Sequence, residues 1–257
     1  MEAETWLIFI AVVFIGSYLQ SVIGFGMALI VVAIARISGG VDFATLTAAI
    51  SLIALVNIVV ALRGNLHFIS RNILALLILG QLPAVALGLF ALHHLSISAV
   101  AILEALLAIF LICGSVASVY RPRPFNQVSG LPALLMVGAI AGLCGGLFAA
   151  SGPVMGWFGY RQPLQLAIIR ATLLAFFAVG CLSRTLMVGY SGGLTGEVMG
   201  LFVASMPATI LGAWLGLVAK PPVTDVALKK IVFVALILMG TYIGIRAASQ
   251  LGYGFNW

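Results

Sequence analysis

The chain has 257 residues, 63% of them hydrophobic and only 7% charged, whereas soluble domains carry about 25% charged residues. That balance excludes a water-soluble globular protein and reads as an integral membrane protein. The net charge of +6 comes from 12 Lys and Arg scattered at the ends of apolar stretches with no basic run, a pattern of topology signals in a lipid bilayer and not of nucleic-acid binding.

The chain opens Met1-Glu2-Ala3-Glu4-Thr5-Trp6, with acidic residues where a cleavable signal peptide would be positive, so this end is expected to be retained. A membrane helix needs about 20 apolar residues, and eight apolar segments satisfy this: 6–35, 43–62, 72–92, 99–119, 131–160, 164–188, 197–218 and 226–247. The longest polar break, residues 120–130, contains Pro122 and Pro124 and ends in Gly130. It divides the chain into a membrane repeat 1–119, a polar linker 120–130 and a second repeat 131–257. Leu82-Pro83 to Gly88 in segment three aligns with Met206-Pro207 to Gly212 in segment seven, Arg63 aligns with Arg184, and Gly26 with Gly146. Internal duplication of this kind belongs to secondary transporters, whose substrate site lies at the repeat interface near the membrane midplane.

Segments one and five are about 30 residues long, roughly 45 Å as straight helices against a hydrocarbon core of about 30 Å. Both are interrupted. Segment five carries Gly142, Gly145, Gly146, Gly152 and Pro153 in one short run, and segment one carries Gln20-Ser21-Val22-Ile23-Gly24-Phe25-Gly26 at the matching place. Interior glycines cost about 1 kcal/mol each against alanine and a proline about 3 kcal/mol, so a broken or re-entrant element is expected, and close packing through small residues is the alternative reading. If both segments enter and leave on one face, Arg63, Arg71, Arg121, Arg123, Arg161, Arg170, Lys220, Lys229 and Lys230 share a side and only Arg36, Arg184 and Arg246 oppose them. That asymmetry obeys the positive-inside rule and predicts inverted repeats with a cytoplasmic 120–130 loop. Eight full crossings give no such bias.

Gly24-Phe25-Gly26 and Gly142–Pro153, with the four-plus-four layout, resemble the sulfite exporter TauE/SafE family over nearly the whole chain. One departure is the lack of a proline after the first glycine motif. The resemblance implies an all-α polytopic protein of the bacterial cytoplasmic (inner) membrane. It also implies an exporter of small sulfur-containing anions, with sulfite and organosulfonates such as sulfoacetate as the substrate class.

An oxyanion is held by backbone amides at half-helix N-termini, by hydroxyls, and by an arginine fork. The expected substrate-binding set is Gln20, Ser21, Gly24, Phe25, Gly26, Asn57, Gly145, Gly146, Ser151, Gly152, Pro153 and Arg170. Arg170 lies about 10 Å along segment six, at a depth where a charge costs several kcal/mol unless it finds a partner or snorkels to the interface. Gln20 and Asn57 have interhelical hydrogen bonding as the plainer role. Arg63 and Arg184, at segment ends, read as topology anchors. Glu104, deep in its segment, fits either a proton carrier or a helix-end pair, and His67, His93 and His94 are expected in loops. Cys113, Cys144 and Cys181 show no Cys-x-x-Cys spacing and read as small buried residues, Cys144 alone adjoining the glycine run. No metal or cofactor is expected.

Ser151 could serve as the nucleophile of an intramembrane enzyme, but no base at matching depth accompanies it, so no catalytic residue is expected. A channel or a structural subunit is the further alternative. No Gly-x-x-x-x-Gly-Lys-Ser/Thr motif occurs, so ATP-driven transport would need another chain. A coupling proton or ion and homo-oligomerisation are left open.

Overall fold

In the computed structural model the described residues are 3–38, 41–119, 124–219 and 225–253, and among them no strand occurs. The helices are α1 (Ala3–Ile23), α2 (Met27–Ser38), α3 (Phe43–Leu62), α4 (Arg71–Ser98), α5 (Val100–Val119), α6 (Leu131–Phe148), α7 (Gly152–Gly159), α8 (Leu166–Tyr190), α9 (Gly196–Val218) and α10 (Asp225–Tyr253), with a 3-10 turn at Leu66–Phe68. Eight of the helices are long and apolar enough to cross a membrane by length and composition. The two long segments are each split, into α1 and α2 and into α6 and α7, at the glycine runs. Arg121, Arg123 and Lys220 of the charge pattern, with the first part of the 120–130 linker, lie outside the described residues.

Helix ends follow from local chemistry. Asp42 caps α3, its Oδ2 accepting the amides of Ala44 and Thr45 at 3.0 and 3.1 Å, and Thr195 caps α9 by accepting the Val198 amide at 3.4 Å. Each satisfies first-turn donors that have no partner inside the helix.

Glycines then set how the helices pack. A methyl group at Gly142 of α6 would lie 2.6 Å from the Gln81 carbonyl of α4, and one at Gly146 would lie 2.8 Å from the Gly88 Cα. On the other side, a methyl group at Gly212 of α9 would meet the Phe14 carbonyl of α1 at 2.5 Å, and one at Gly216 the Tyr18 carbonyl at 2.7 Å. Only small residues allow backbones so close. Residue numbers rise together along both contacts, so α4 runs parallel to α6 and α9 parallel to α1. Gly88 and Gly212 are the matched glycines of the repeated Pro-x4-Gly pattern, and each clamps the broken unit of the opposite half. The helix α5 packs on α10, and α3 packs on both α8 and α9.

At both breaks the chain folds back. Ser17 Oγ donates to Met27 Sδ at 3.3 Å, so α2 starts beside the body of α1 and not beyond its tip. The Ser129 amide, just ahead of α6, donates to Gln162 Oε1 at 3.0 Å, and Gln162 Nε2 returns a bond to Ser129 Oγ at 2.9 Å. The Phe125 amide donates to the Arg161 carbonyl at 2.8 Å, and the Arg161 guanidinium stacks 4.2 Å from the Phe125 ring centroid. The entry to α6 and the exit from α7 therefore lie together. Nearby in the bundle, the Ser70 amide before α4 donates to Thr172 Oγ1 near the start of α8 at 3.0 Å.

The opposite end gathers the ends of α2 and α10 with the starts of α3 and α5. Arg36 Nη1 donates to the Val41 carbonyl at 3.3 Å, its Nη2 pairs with Glu104 Oε1, and Arg246 Nη1 donates to the Arg36 carbonyl at 3.2 Å. Glu104 is thus the partner of Arg36. The helix α4 continues through Ser98, so His93 and His94 stand exposed on a helix and not in the loop expected for them.

Candidate functional site

Between the two breaks lies a cavity enclosing about 530 Å³ of empty space, part of it open to solvent. The first break borders it with Gln20, Phe25 and Gly26, and the second with Gly145, Ser151 and Gly152. Each break is made by backbone that a side chain opposes: Gly24 and Gly26 have φ of 95° and 115°, which glycine alone adopts readily. Ala149 has φ 55° without being glycine, a strain of roughly 1–2 kcal/mol. Strain of this kind gathers at functional sites.

The tips deliver two helix N-termini to the cavity. Ser151 is the N-cap of α7 but its side chain caps nothing, Pro153 has no amide, and the remaining first-turn amides lack intrahelical partners. Gly26 precedes α2 in the same way, its carbonyl accepting from Ile30 at 3.2 Å. Both termini carry the positive end of a helix dipole. The tips touch through Phe25, whose ring lies so close to α7 that a methyl group at Gly152 or Gly156 would come within 2.9 or 2.8 Å of it.

The charge of the site is Arg184. It is 1% exposed, and because α8 runs on to Tyr190 it lies inside the helix and not at a segment end. Its Nε donates to the Gly146 carbonyl at 3.2 Å, Nη1 to the Thr47 carbonyl at 2.6 Å and to Ser51 Oγ at 2.8 Å, and Nη2 to Thr47 Oγ1 at 2.8 Å. The hydroxyls can accept because their own protons are spent on carbonyls one turn back: Thr47 donates to Phe43 and Ser51 to Thr47, both at 2.9 Å. These partners are neutral. Among the described residues the one ion pair is Arg36 with Glu104, so the Arg184 charge is solvated by dipoles and not cancelled by a carboxylate. A buried cation in that condition costs several kcal/mol, a cost that an anion nearby would offset.

Two amides complete the wall. Gln20 Nε2 donates to Asn57 Oδ1 at 2.8 Å, and Asn57 Nδ2 donates to the Ser17 carbonyl at 3.0 Å. Gln81 of α4 donates from Nε2 to the Phe176 carbonyl at 3.2 Å, while its Oε1 has no protein partner. The cavity also touches Cys181, one turn before Arg184.

Of the residues singled out from sequence, Gln20, Phe25, Gly26, Gly145, Ser151 and Gly152 line the cavity. Asn57 stands behind Gln20, and Gly146 lends its carbonyl to Arg184 while packing on α4. Ser21 packs under Gly216, Pro153 under Gly114, and Gly24 beside Tyr160 and Arg170. Arg170 does not border the cavity; its Cγ would lie 3.6 Å from a methyl group on Gly24. Sequence reasoning missed Arg184, Ser51, Gln81 and Cys181. The available signal was the spacing of Thr47 and Ser51, four residues apart on a helix whose other polar residues are Thr45 and Asn57, which marks one polar stripe. Among the described residues no group of three or more His, Cys, Asp or Glu could hold a metal ion.

The profile of the family described as sulfite exporter TauE/SafE matches residues 8–243. A curated relative, the "Probable sulfite/organosulfonate exporter TauE" of Cupriavidus necator, is 32% identical over 234 residues, covering 91% of each chain. No solved structure matches the chain. The profile spans every residue that lines the cavity and the relative covers most of the chain, and the chain therefore belongs to the sulfite exporter TauE/SafE family, as a transporter and not an enzyme, integral to the bacterial inner membrane.

Proposed function

We propose that this protein is a secondary transporter that exports a small sulfur-containing anion, sulfite or an organosulfonate such as sulfoacetate, through the cavity between the two breaks. The observation that carries the reading is Arg184, a fully buried guanidinium without a carboxylate partner, facing the N-termini of two interrupted helices. Four of the five guanidinium N–H donors are held by Gly146, Thr47 and Ser51, so the fixed positive charge, the one remaining Nη2 proton and the oriented amides are what suit a sulfur oxyanion. The name of the Cupriavidus necator relative supports both the substrate class and the direction. Arg170, beside Gly24, is assigned the lesser role of positioning the first tip.

The same reading makes α1–α2 and α6–α7 re-entrant units that enter from opposite faces, related as inverted repeats, with the end bearing Ser70, Ser129 and Arg161 in the cytoplasm. The hydrogen bonds joining Ser129 to Gln162 support re-entry of the second unit. Cysteine labelling at Asn126 and Ser191 tests the orientation: reagent from the cytoplasmic side should reach Asn126 only, and labelling of both from one side contradicts it. The function itself is tested by titrating sulfite, sulfoacetate, sulfate, thiosulfate and taurine into purified protein and by following their flux in proteoliposomes. Saturable binding and flux of at least one sulfur anion are expected; neither for any of them refutes the reading.

A further inference from the structure

The cavity wall offers acceptors as well as donors, and their orientation is forced. Gln81 Nε2 donates to the Phe176 carbonyl; a flipped amide would set two oxygens face to face, so Oε1 must occupy the end turned away from that carbonyl. Gln81 is 2% exposed, and Oε1 has no protein partner. The relay at Gln20 is fixed in the same manner. The Ser17 carbonyl requires Asn57 to present Nδ2, Asn57 then presents Oδ1 to Gln20 Nε2, and Gln20 Oε1 is left as the end of its amide turned from the relay.

A fully ionised oxyanion brings acceptors only. Its oxygens suit Arg184 and the helix N-termini, but against an amide oxygen they are repelled, and that amide stays unsatisfied. We propose that Gln81 determines specificity, its Oε1 accepting a hydrogen bond from the ligand. The site then favours singly charged sulfur oxyanions that carry an O–H, such as hydrogensulfite or a hydroxyalkanesulfonate, over donor-free or doubly charged ones. This narrows the substrate class given above and rests on the cavity being an oxyanion site. A site built to bond a hydroxyl rejects the analogue lacking it far more strongly than an apolar pocket rejects an extra methylene.

The matched pair of probes is 2-hydroxyethanesulfonate and propane-1-sulfonate, in which a methyl group replaces the hydroxyl, titrated into the full-length protein in detergent. The wild type should prefer the hydroxy ligand by about tenfold or more. In Gln81→Met, which keeps length but removes the acceptor, that ratio should fall below about threefold. If the variant does not fold, the wild type decides alone, with sulfoacetate expected to bind at least about tenfold more weakly than 2-hydroxyethanesulfonate. Equal affinities of the matched pair in the wild type overturn the inference and leave the oxyanion site standing, and a preference undiminished in folded Gln81→Met removes Gln81 from the role. Failure of these ligands and of sulfite to bind at all overturns the site and the inference together.

Discussion

Arg63 and Arg184 hold matched places in the two halves of the sequence, yet one is exposed at the end of α3 and the other is sealed beside the cavity. The difference is made by two things. The helix α8 continues to Tyr190 past its arginine while α3 stops at Leu62, and only Arg184 meets a wall of hydroxyls and carbonyls, supplied by Thr47, Ser51 and Gly146. Gly26 and Gly146 part company in the same way. Gly26 has φ 115° and open space around it, whereas Gly146 is pressed on the backbone of α4. The candidate site lies where these matched sequence positions depart from one another.

Substitutions at the matched positions should expose that asymmetry. The largest effect is expected at Gly146→Leu, because α4 and α6 would have to separate: folded protein should be lost from size-exclusion profiles, while Gly26→Ala, whose methyl group meets no atom within 4 Å, should still yield folded protein with reduced flux. A folded, active Gly146→Leu would show that the α4–α6 contact is not the clamp described above. Next is the paired arginine. Glu104→Gln leaves Arg36, whose side chain is largely buried, without its carboxylate and should lower stability by about 3 kcal/mol with sulfite affinity unchanged; a drop in affinity instead would place Glu104 in the transport pathway. Ser51→Ala removes one of the acceptors that orient Arg184 and should weaken sulfite binding about fivefold, read by calorimetric titration. The smallest effects are expected at Arg63→Gln and Arg170→Gln, within about threefold of wild type for positions that do not border the cavity. A larger loss at Arg170 would restore it as a direct ligand.

Much of the frame was legible in the sequence, because its signals are local. Eight apolar stretches, two glycine runs and a repeated Pro-x4-Gly are each visible within one window, and they map onto the eight long helices, the two breaks and the two interhelical clamps at Gly88 and Gly212. The site was only half legible. Gln20, Phe25, Gly26, Gly145, Ser151 and Gly152 could be found because they belong to the breaks themselves. Arg184 could not: its position near the end of an apolar run looks the same whether the helix stops there or continues, and the residues that solvate it come from α3 and α6, 137 and 38 positions away. Gln81 was hidden for the same reason, being polar on a helix whose partner carbonyl, Phe176, is 95 positions distant. Arg170 attracted attention by depth along its helix, but depth does not say which way a side chain faces.

In the proposed transporter Arg184 holds the anion. Sulfite titrated into Arg184→Gln, Arg184→Lys and Arg63→Gln tests this directly, with folding of each checked by size exclusion and thermal melting. Charge-assisted hydrogen bonds contribute about 1.5–3 kcal/mol, so Arg184→Gln should bind roughly ten- to a hundredfold more weakly. Arg184→Lys should recover only part of that loss, since it keeps the charge without the planar fork, and Arg63→Gln should match wild type. Folded Arg184→Gln that binds sulfite with wild-type affinity would contradict the account.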